Sequence, residues 1–309
     1  MKSLDLAKLI RLNSIKMVYN SKGSHIGSAL SYVDILAVLY TGILKYESNN
    51  PSSENRDRFI LSKGHACSSL YACLALKGFY DIKKLDNYGE NDNILMNHVS
   101  HKVPGVEFST GSLGHGLPFG IGIAKGLKLK HKKPPRVYVL LGDGELAEGS
   151  NFEALLFGSH HKLDNLILII DYNNLQSLTT VEKTLNILPL DEKIKAFGWN
   201  FFEFDGHDHS VIREVFLKIP SNGKPTVLVA KTKVIPNTIY HFKLGIGDVG
   251  DQLYDSAIFL EANSLRSTGN KPKLEDELKH LKEALSSNFS ILFSGKYFFN
   301  KSLLPNTQT

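Results

Sequence analysis

Two apolar runs of strand length, Val137 to Leu141 and Leu166 to Ile170, show no alternation of polar and apolar residues, and a helical stretch separates them. A strand with one wet face alternates; a strand buried on both faces does not, and burial on both faces belongs to parallel sheets covered by helices. A strand, a crossover helix and a second parallel strand take about thirty residues or more. The runs end in Gly142-Asp143-Gly144-Glu145 and Asp171-Tyr172-Asn173-Asn174, which sets Asp143 and Asn173 thirty positions apart. Parallel strands of an open sheet place their C-terminal ends on one edge, so this spacing predicts that Asp143 and Asn173 face one crevice.

The rest of the chain follows the same rhythm. Leu6, Leu9, Ile10, Leu12, Ile15 and Val18 recur at helical spacing, the glycine turn Gly23 to Gly27 follows, and Tyr32 to Tyr40 reads as a largely buried helix. A short strand is expected at Arg58–Leu61, helices at Ala66–Lys77, Gly116–Lys130, Asp191–Phe197 and Ser210–Leu217, and further strands at Asn200–Phe204 and Thr226–Ala230. Residues 86–108 carry no periodicity and read as a long irregular connection, a kind of segment that tends to be functional. Strands alternating with helices give the fold class: α/β, a parallel sheet covered by helices on both faces. Gly116, Gly120, Gly122 and Gly126 weaken the helix that holds them, so close backbone packing is expected there.

The residue types suit a metal-diphosphate site. Mg²⁺ takes six oxygens, with one or two carboxylates joined by phosphate and water. Asp143 offers charge, Asn173 a neutral oxygen and Leu175 a backbone carbonyl, while Gly142 and Gly144 let N–H groups approach a phosphate near the start of the next helix. Gly-Asp-Gly alone also makes an ordinary turn; the paired Asn at strand-helix-strand spacing favours the metal-diphosphate reading over it.

Several segments resemble the transketolases among the thiamine diphosphate enzymes. Gly142 to Glu145 with Asn173 and Asn174 is similar to the superfamily's diphosphate-binding signature. Gly23 to Gly27, Asp57 to Ala66, Ser109 to Gly116 and Asp205 to Asp208 resemble transketolase segments, over about residues 5–233, closest to the separately encoded N-terminal half of a split transketolase. The resemblance implies a thiamine diphosphate-binding fold of the diphosphate-binding (PP) type over 1–250, with a helical extension and tail over 251–309. It implies thiamine diphosphate with Mg²⁺ (or Ca²⁺ or Mn²⁺) as cofactors, the metal held by Asp143, Asn173 and Leu175. His65, Gly111, Leu113, His115, Gly142, Asp143, Gly144, Glu145 and Asn173 would bind cofactor. His25, His65, His98 and His241 would serve sugar binding and proton movement, and Glu148 a subunit-interface proton path. From the residues alone, turn histidines bonded to nearby backbone and a solvated acid favoured by a helix dipole remain open. His115 stands where many transketolases have Gln, and the family's glycine and lysine loop is shortened or rebuilt after Thr232.

In the family this chain resembles, the activating Glu comes from a separate pyrimidine-binding domain, and residues 251–309, with Leu274–Leu285 as an amphipathic helix, are expected to be too short to be one. The expectation is an enzyme half that moves a two-carbon ketol unit from a ketose to an aldose only with a separate C-terminal subunit, as α2β2, on sugars or sugar phosphates. Alternatives are the α subunit of a 2-oxoacid dehydrogenase, which shares the Asp and Asn signature, and a noncatalytic cofactor-binding subunit. A net charge of +5 without aromatic interleaving argues against nucleic acid. No segment has the apolar length of a membrane span and the N-terminus lacks a secretory signal's apolar core, so a cytoplasmic protein is expected. Cys67 and Cys73 are expected to pack as free thiols.

Overall fold

The computed structural model of the chain describes residues 1–176 and 179–232, and three short segments, 257–261, 290–294 and 297–299. It divides into two units, Met1–Lys233 and Val234–Thr309.

In the first unit, helix α1 (Ser3–Asn20) leads into α2 (Ile26–Ser31) and α3 (Val33–Val38), followed by β1 (Arg58–Leu61) and α4 (Cys67–Leu76). After the long connection come α5 (Gly116–Lys130), β2 (Val137–Gly142), α6 (Gly149–His160) and β3 (Leu166–Tyr172). A small hairpin, β4 (Leu175–Gln176) with β5 (Thr179–Thr180), precedes α7 (Val181–Thr184) and α8 (Leu190–Ala196). The unit closes with β6 (Asn200–Asp205), α9 (His209–Leu217) and β7 (Thr226–Lys231). The five longer strands form one parallel sheet in the order β1-β2-β3-β7-β6.

Side chains alternate between two cores. Phe59, Tyr138, Leu140, Ile167, Ile169 and Leu228 join one with α1, α3, α4 and α9. Ile60, Val139, Leu141, Leu168, Ile170 and Val229 join the other with α5, α6 and α8. Because strand residues point alternately to opposite faces and both faces are dry, the strands read as unbroken apolar runs. Register carries the tips forward together: Gly142 pairs with Asp171, Tyr172 with Lys231 and Asp205 with Lys231.

The glycines of α5 fall into two kinds, which corrects the expectation that all four pack closely. A Cβ at Gly116 would sit 2.3 Å from Ser62 Oγ and one at Gly120 2.4 Å from Val139 Cγ2, so α5 lies against the sheet at van der Waals limits. Nothing lies within 4 Å of a Cβ built at Gly122 or Gly126. Gly120→Val is therefore expected to lower stability by about 1–3 kcal/mol through overpacking, and Gly122→Ala to raise it by roughly 0.5–1 kcal/mol through helix propensity. Urea unfolding midpoints of the two variants check this; a shift of the same sign for both would refute the packing of α5.

Of the connection expected at 86–108, residues 88–108 hold no helix or strand, whereas residues 86 and 87 close a short helical turn, Ile82–Asn87. Cys67 and Cys73 are buried and unpaired. In the second unit, β8 (Ala257–Glu261) runs parallel to β9 (Ser290–Ser294), which pairs antiparallel with β10 (Tyr297–Phe299). The helix expected at Leu274–Leu285 lies outside the described residues.

Candidate functional site

Asp143 caps the tip of β2 and is 2% exposed. Its Oδ1 accepts from the Gly144 N–H at 2.9 Å and its Oδ2 from the Asn174 N–H at 2.6 Å, so the tips of β2 and β3 are tied to each other. Burial pushes this carboxyl up to about 7, against the Asn174 hydrogen bond and with the nearby Asp171 charge adding to the rise. Asn173 is half-buried, its Oδ1 accepting from the Leu175 N–H at 2.9 Å, and Leu175 is exposed at the start of the β4–β5 hairpin.

This donor set fits a hard divalent ion that brings its own further ligands. It holds one carboxylate, one amide oxygen and one carbonyl, and among the described residues no group of three or more His, Cys, Asp or Glu could form a self-sufficient metal cage. A cation completed by phosphate and water is the arrangement such a set can hold. Beside Asp143, Asn174 Oδ1 and Gln176 Oε1 are buried without a hydrogen-bond partner. Buried acceptors are ordinarily satisfied, and a cation or its water would satisfy these.

Three details of the turn depart from expectation. The Gly142 N–H donates to Glu145 Oε2 at 3.3 Å and the Gly144 N–H to Asp143, so both serve carboxylates of the same turn. Glu145 points inward, 3% exposed, accepting from the Ser62 hydroxyl and from the Gly114 N–H at 2.9 Å, which ties the 109–116 loop to the β2 tip. The helix start is also displaced: a short turn at Glu145–Ala147 intervenes, and α6 begins only at Gly149.

Three of the singled-out histidines come together although they are far apart in sequence. The His25 ring lies 5.1 Å from that of His65 and 6.0 Å from that of His98, centroid to centroid. His25 adopts the left-handed conformation, φ 68°, at the entry to α2 and is exposed. His65 sits in the turn after β1, with Nε2 2.9 Å from Ser28 Oγ. Burial, helped by the charge of Lys63, pushes His65 down to about 4; burial and His98 also lower His25. His98 is delivered by the irregular connection, which is joined to the turn after β1 by Val99 N–H to Gly64 O, 3.1 Å, and to the β1 end by Thr110 Oγ1 to Leu61 O, 2.6 Å. Its ring covers Gly111, where a Cβ would be 2.9 Å from His98 Cδ2.

Gly111 and His115 line an open depression of about 330 Å³ with Phe108, Ser109, Thr110 and Ser112. His115 is exposed, Nδ1 3.0 Å from Ser112 O; Leu113 is half-buried. Glu148 is exposed and immediately precedes α6, beside Gly114. His241 and the chain from Lys233 onward to 256 lie outside the described residues.

Sequence reading missed a charged hub beneath this edge. Lys63, 3% exposed, forms an ion pair with the fully buried Asp171 and donates to Ser28 O at 2.8 Å and Ser31 Oγ at 3.0 Å. Asp171 also accepts from Ser31 and, at 2.8 Å, from Thr232 Oγ1. The available signal was the charge of Asp171 at the end of an otherwise apolar run. A second cluster lies at the N-terminal side of α3: Asp34 accepts from Arg11 at 3.0 and 2.6 Å and lies 2.9 Å from both His207 Nδ1 and His209 Nε2.

The family described as "Transketolase, thiamine diphosphate binding domain" matches residues 3–240. The chain is 40% identical over 223 residues to one subunit of an apulose-4-phosphate transketolase of Phocaeicola vulgatus, covering 72% of this chain and 79% of that one. It is 35% identical over 228 residues to a 6-deoxy-6-sulfo-D-fructose transketolase subunit of a Clostridium species, covering 73% and 82%. Among solved structures, transketolase from Campylobacter jejuni superposes with a TM-score of 0.70 at 34% identity, over 73% of this chain and 37% of that one. Transketolase from Leishmania mexicana does so with a TM-score of 0.69 at 28% identity, over 75% and 36%. The chain thus spans little more than a third of the solved enzymes but most of the relatives that are themselves single transketolase subunits. A parallel sheet with Asp143 and Asn173 at neighbouring tips, matched over these residues, places the chain in the transketolase family as a thiamine diphosphate-binding domain.

Proposed function

We propose that this chain is the cofactor-anchoring subunit of a two-chain transketolase, moving a two-carbon ketol unit from a ketose to an aldose. The observation that carries the reading is the tie between Asp143 and the tip of β3, with His25, His65 and His98 gathered at the glycine turns beside the same sheet. Residues 1–250 form the cofactor-binding part in this reading, and 251–309 an extension to it. Asp143, Asn173 and the Leu175 carbonyl would hold Mg²⁺, and Gly111, Leu113 and His115 would border the cofactor. Thiamine diphosphate, when bound, supplies the carbon nucleophile and electron sink. His25 and His98, both exposed, would bond sugar hydroxyls and pass protons, with burial and His98 lowering the His25 pKa. His65 would donate to an anionic oxygen, and Glu148 would meet a neighbouring subunit.

A separate C-terminal subunit would supply the pyrimidine-binding domain and its Glu, two copies of each chain forming the enzyme. The names of the relatives point to ketoses with an anionic end as first substrates to assay. Among the described residues no helix is long and apolar enough to cross a membrane, and a cytoplasmic enzyme is proposed.

The test mixes the purified chain with the product of the neighbouring reading frame, follows assembly by size exclusion, and assays ketol transfer from xylulose 5-phosphate against turnover of pyruvate. Transfer is expected only in the mixture with thiamine diphosphate and Mg²⁺. Full activity of the single chain would overturn the two-chain reading, and preference for pyruvate would favour a 2-oxoacid enzyme.

A further inference from the structure

The Lys63–Asp171 hub lies one hydrogen bond away from His65. Lys63 carries an ammonium, which donates and never accepts. It holds Ser28 by the carbonyl at 2.8 Å and stands 3.5 Å from the Ser28 hydroxyl. The ammonium therefore turns the Ser28 hydroxyl hydrogen away from itself. The partner on the other side is His65 Nε2, at 2.9 Å, and among the described residues Ser28 Oγ has no other acceptor for its hydrogen. With the ammonium on one side, this geometry favours Ser28 as donor and Nε2 as acceptor, which leaves the ring proton on Nδ1.

We propose that Lys63, held by Asp171, is a positioning residue that fixes His65 as its neutral Nδ1–H tautomer through Ser28. The inference rests on the reading of His65 as a site histidine and adds to it which nitrogen carries the proton. The hub is enclosed and bonded by several elements. Asp171 is fully buried at the tip of β3, Ser31 of α2 bonds both charges, and the Tyr32 ring lies 4.7 Å from the ammonium. The charged and titratable groups facing His65 are Lys63, His25 and His98, and with burial all three disfavour the imidazolium. A neutral ring with its proton on Nδ1 can donate to a phosphate or sugar oxygen from that nitrogen. A proton at Nε2 would reverse the Ser28 bond and turn the hydroxyl hydrogen away from the ring.

The experiment is nitrogen-15 NMR of the histidine-labelled full chain, with the His65 signals assigned by their loss in His65→Gln. The native chain is expected to show His65 with Nδ1 protonated and Nε2 bare throughout the neutral range. Ser28→Ala leaves Lys63 and Asp171 in place and removes the link; Lys63→Met removes the charge at similar length. Each is expected to shift the tautomer ratio toward Nε2–H by roughly five- to tenfold, the ratio set by one hydrogen bond. A protonated Nε2 in the native chain, or an unchanged ratio in Ser28→Ala, would overturn the proposal, and Ser28→Ala decides it even if Lys63→Met fails to fold. The readout belongs to the free chain, so its failure is separate from failure to bind thiamine diphosphate, which calorimetry measures.

Discussion

Asp143→Ala is expected to abolish metal-dependent binding of thiamine diphosphate while leaving the sheet folded. Losing the charged member of a buried ion contact costs about 3–5 kcal/mol, a weakening of a hundredfold or more. Asp143 is the one carboxylate of the proposed donor set, and Asn173 and the Leu175 carbonyl would be left to hold a divalent ion with neutral oxygens. Titration calorimetry of the cofactor into the reconstituted enzyme at saturating Mg²⁺ measures the loss. Chelating the metal is expected to weaken binding to the native enzyme and to change binding by the variant little, because the metal contribution is already gone. The fold is expected to survive, since burial already disfavours this carboxylate and it accepts only two hydrogen bonds, from the Gly144 and Asn174 N–H groups, while the β2–β3 ladder remains. Affinity within about threefold of native, less than one ordinary hydrogen bond, would move the metal away from the β2 tip.

The second large effect concerns stability. Asp34 ties α1 through Arg11 to the β6–α9 junction through His207 and His209, with only 7% of its side chain exposed. Burial alone would raise this carboxyl; the hydrogen bonds from His207, Arg11 and His209 and the Arg11 charge outweigh it and hold it far below the usual carboxylate range. His207 is correspondingly raised, first by its bond to Asp34. Asp34→Ala is expected to cost about 2–3 kcal/mol, discounted because His207 is 46% exposed and Arg11 34%. For a domain of this size that is roughly 5–10 °C in Tm.

The pH dependence has a definite sign. A carboxyl held below its unfolded value of 3.8 stabilises above that value and loses the contribution as pH falls. A histidine raised above its unfolded value of 6.5 stabilises below that value and loses the contribution as pH rises through its folded pKa. The gap between native and Asp34→Ala is therefore expected to be widest from about pH 4 to about pH 6.5 and narrower in mild alkali. Thermal unfolding across that range measures it, and a gap that widens with alkali would contradict the His207–Asp34 pairing.

Helix α1 shows where sequence reading reached its limit. Its apolar residues recur at helical spacing, and the helix is there, but Leu12 and Ile15 are 64% and 47% exposed while Leu6, Ile10 and Met17 are buried. Periodicity states that a helix has an apolar face; only the position of α3 and α4 decides how wide a face is covered. The irregular connection is similar. Its lack of pattern was plain, yet its delivery of His98 over Gly111 depends on backbone bonds to Gly64 and on Thr110, which no local signal encodes. The β4–β5 hairpin is too short to show a period of its own.

The chain by itself determined the sheet, the meeting of Asp143 with the β3 tip and the family, because burial on both faces of a parallel strand writes an unbroken apolar run and the crossover spacing leaves little freedom in where the tips emerge. Tertiary structure alone decided which glycines of α5 touch the sheet, that Glu145 turns inward, and that Lys63 and Asp171 meet beneath the histidines. Those outcomes are contacts between residues up to 108 positions apart, and a hydrogen bond or ion pair leaves no periodic trace in either of the segments it joins.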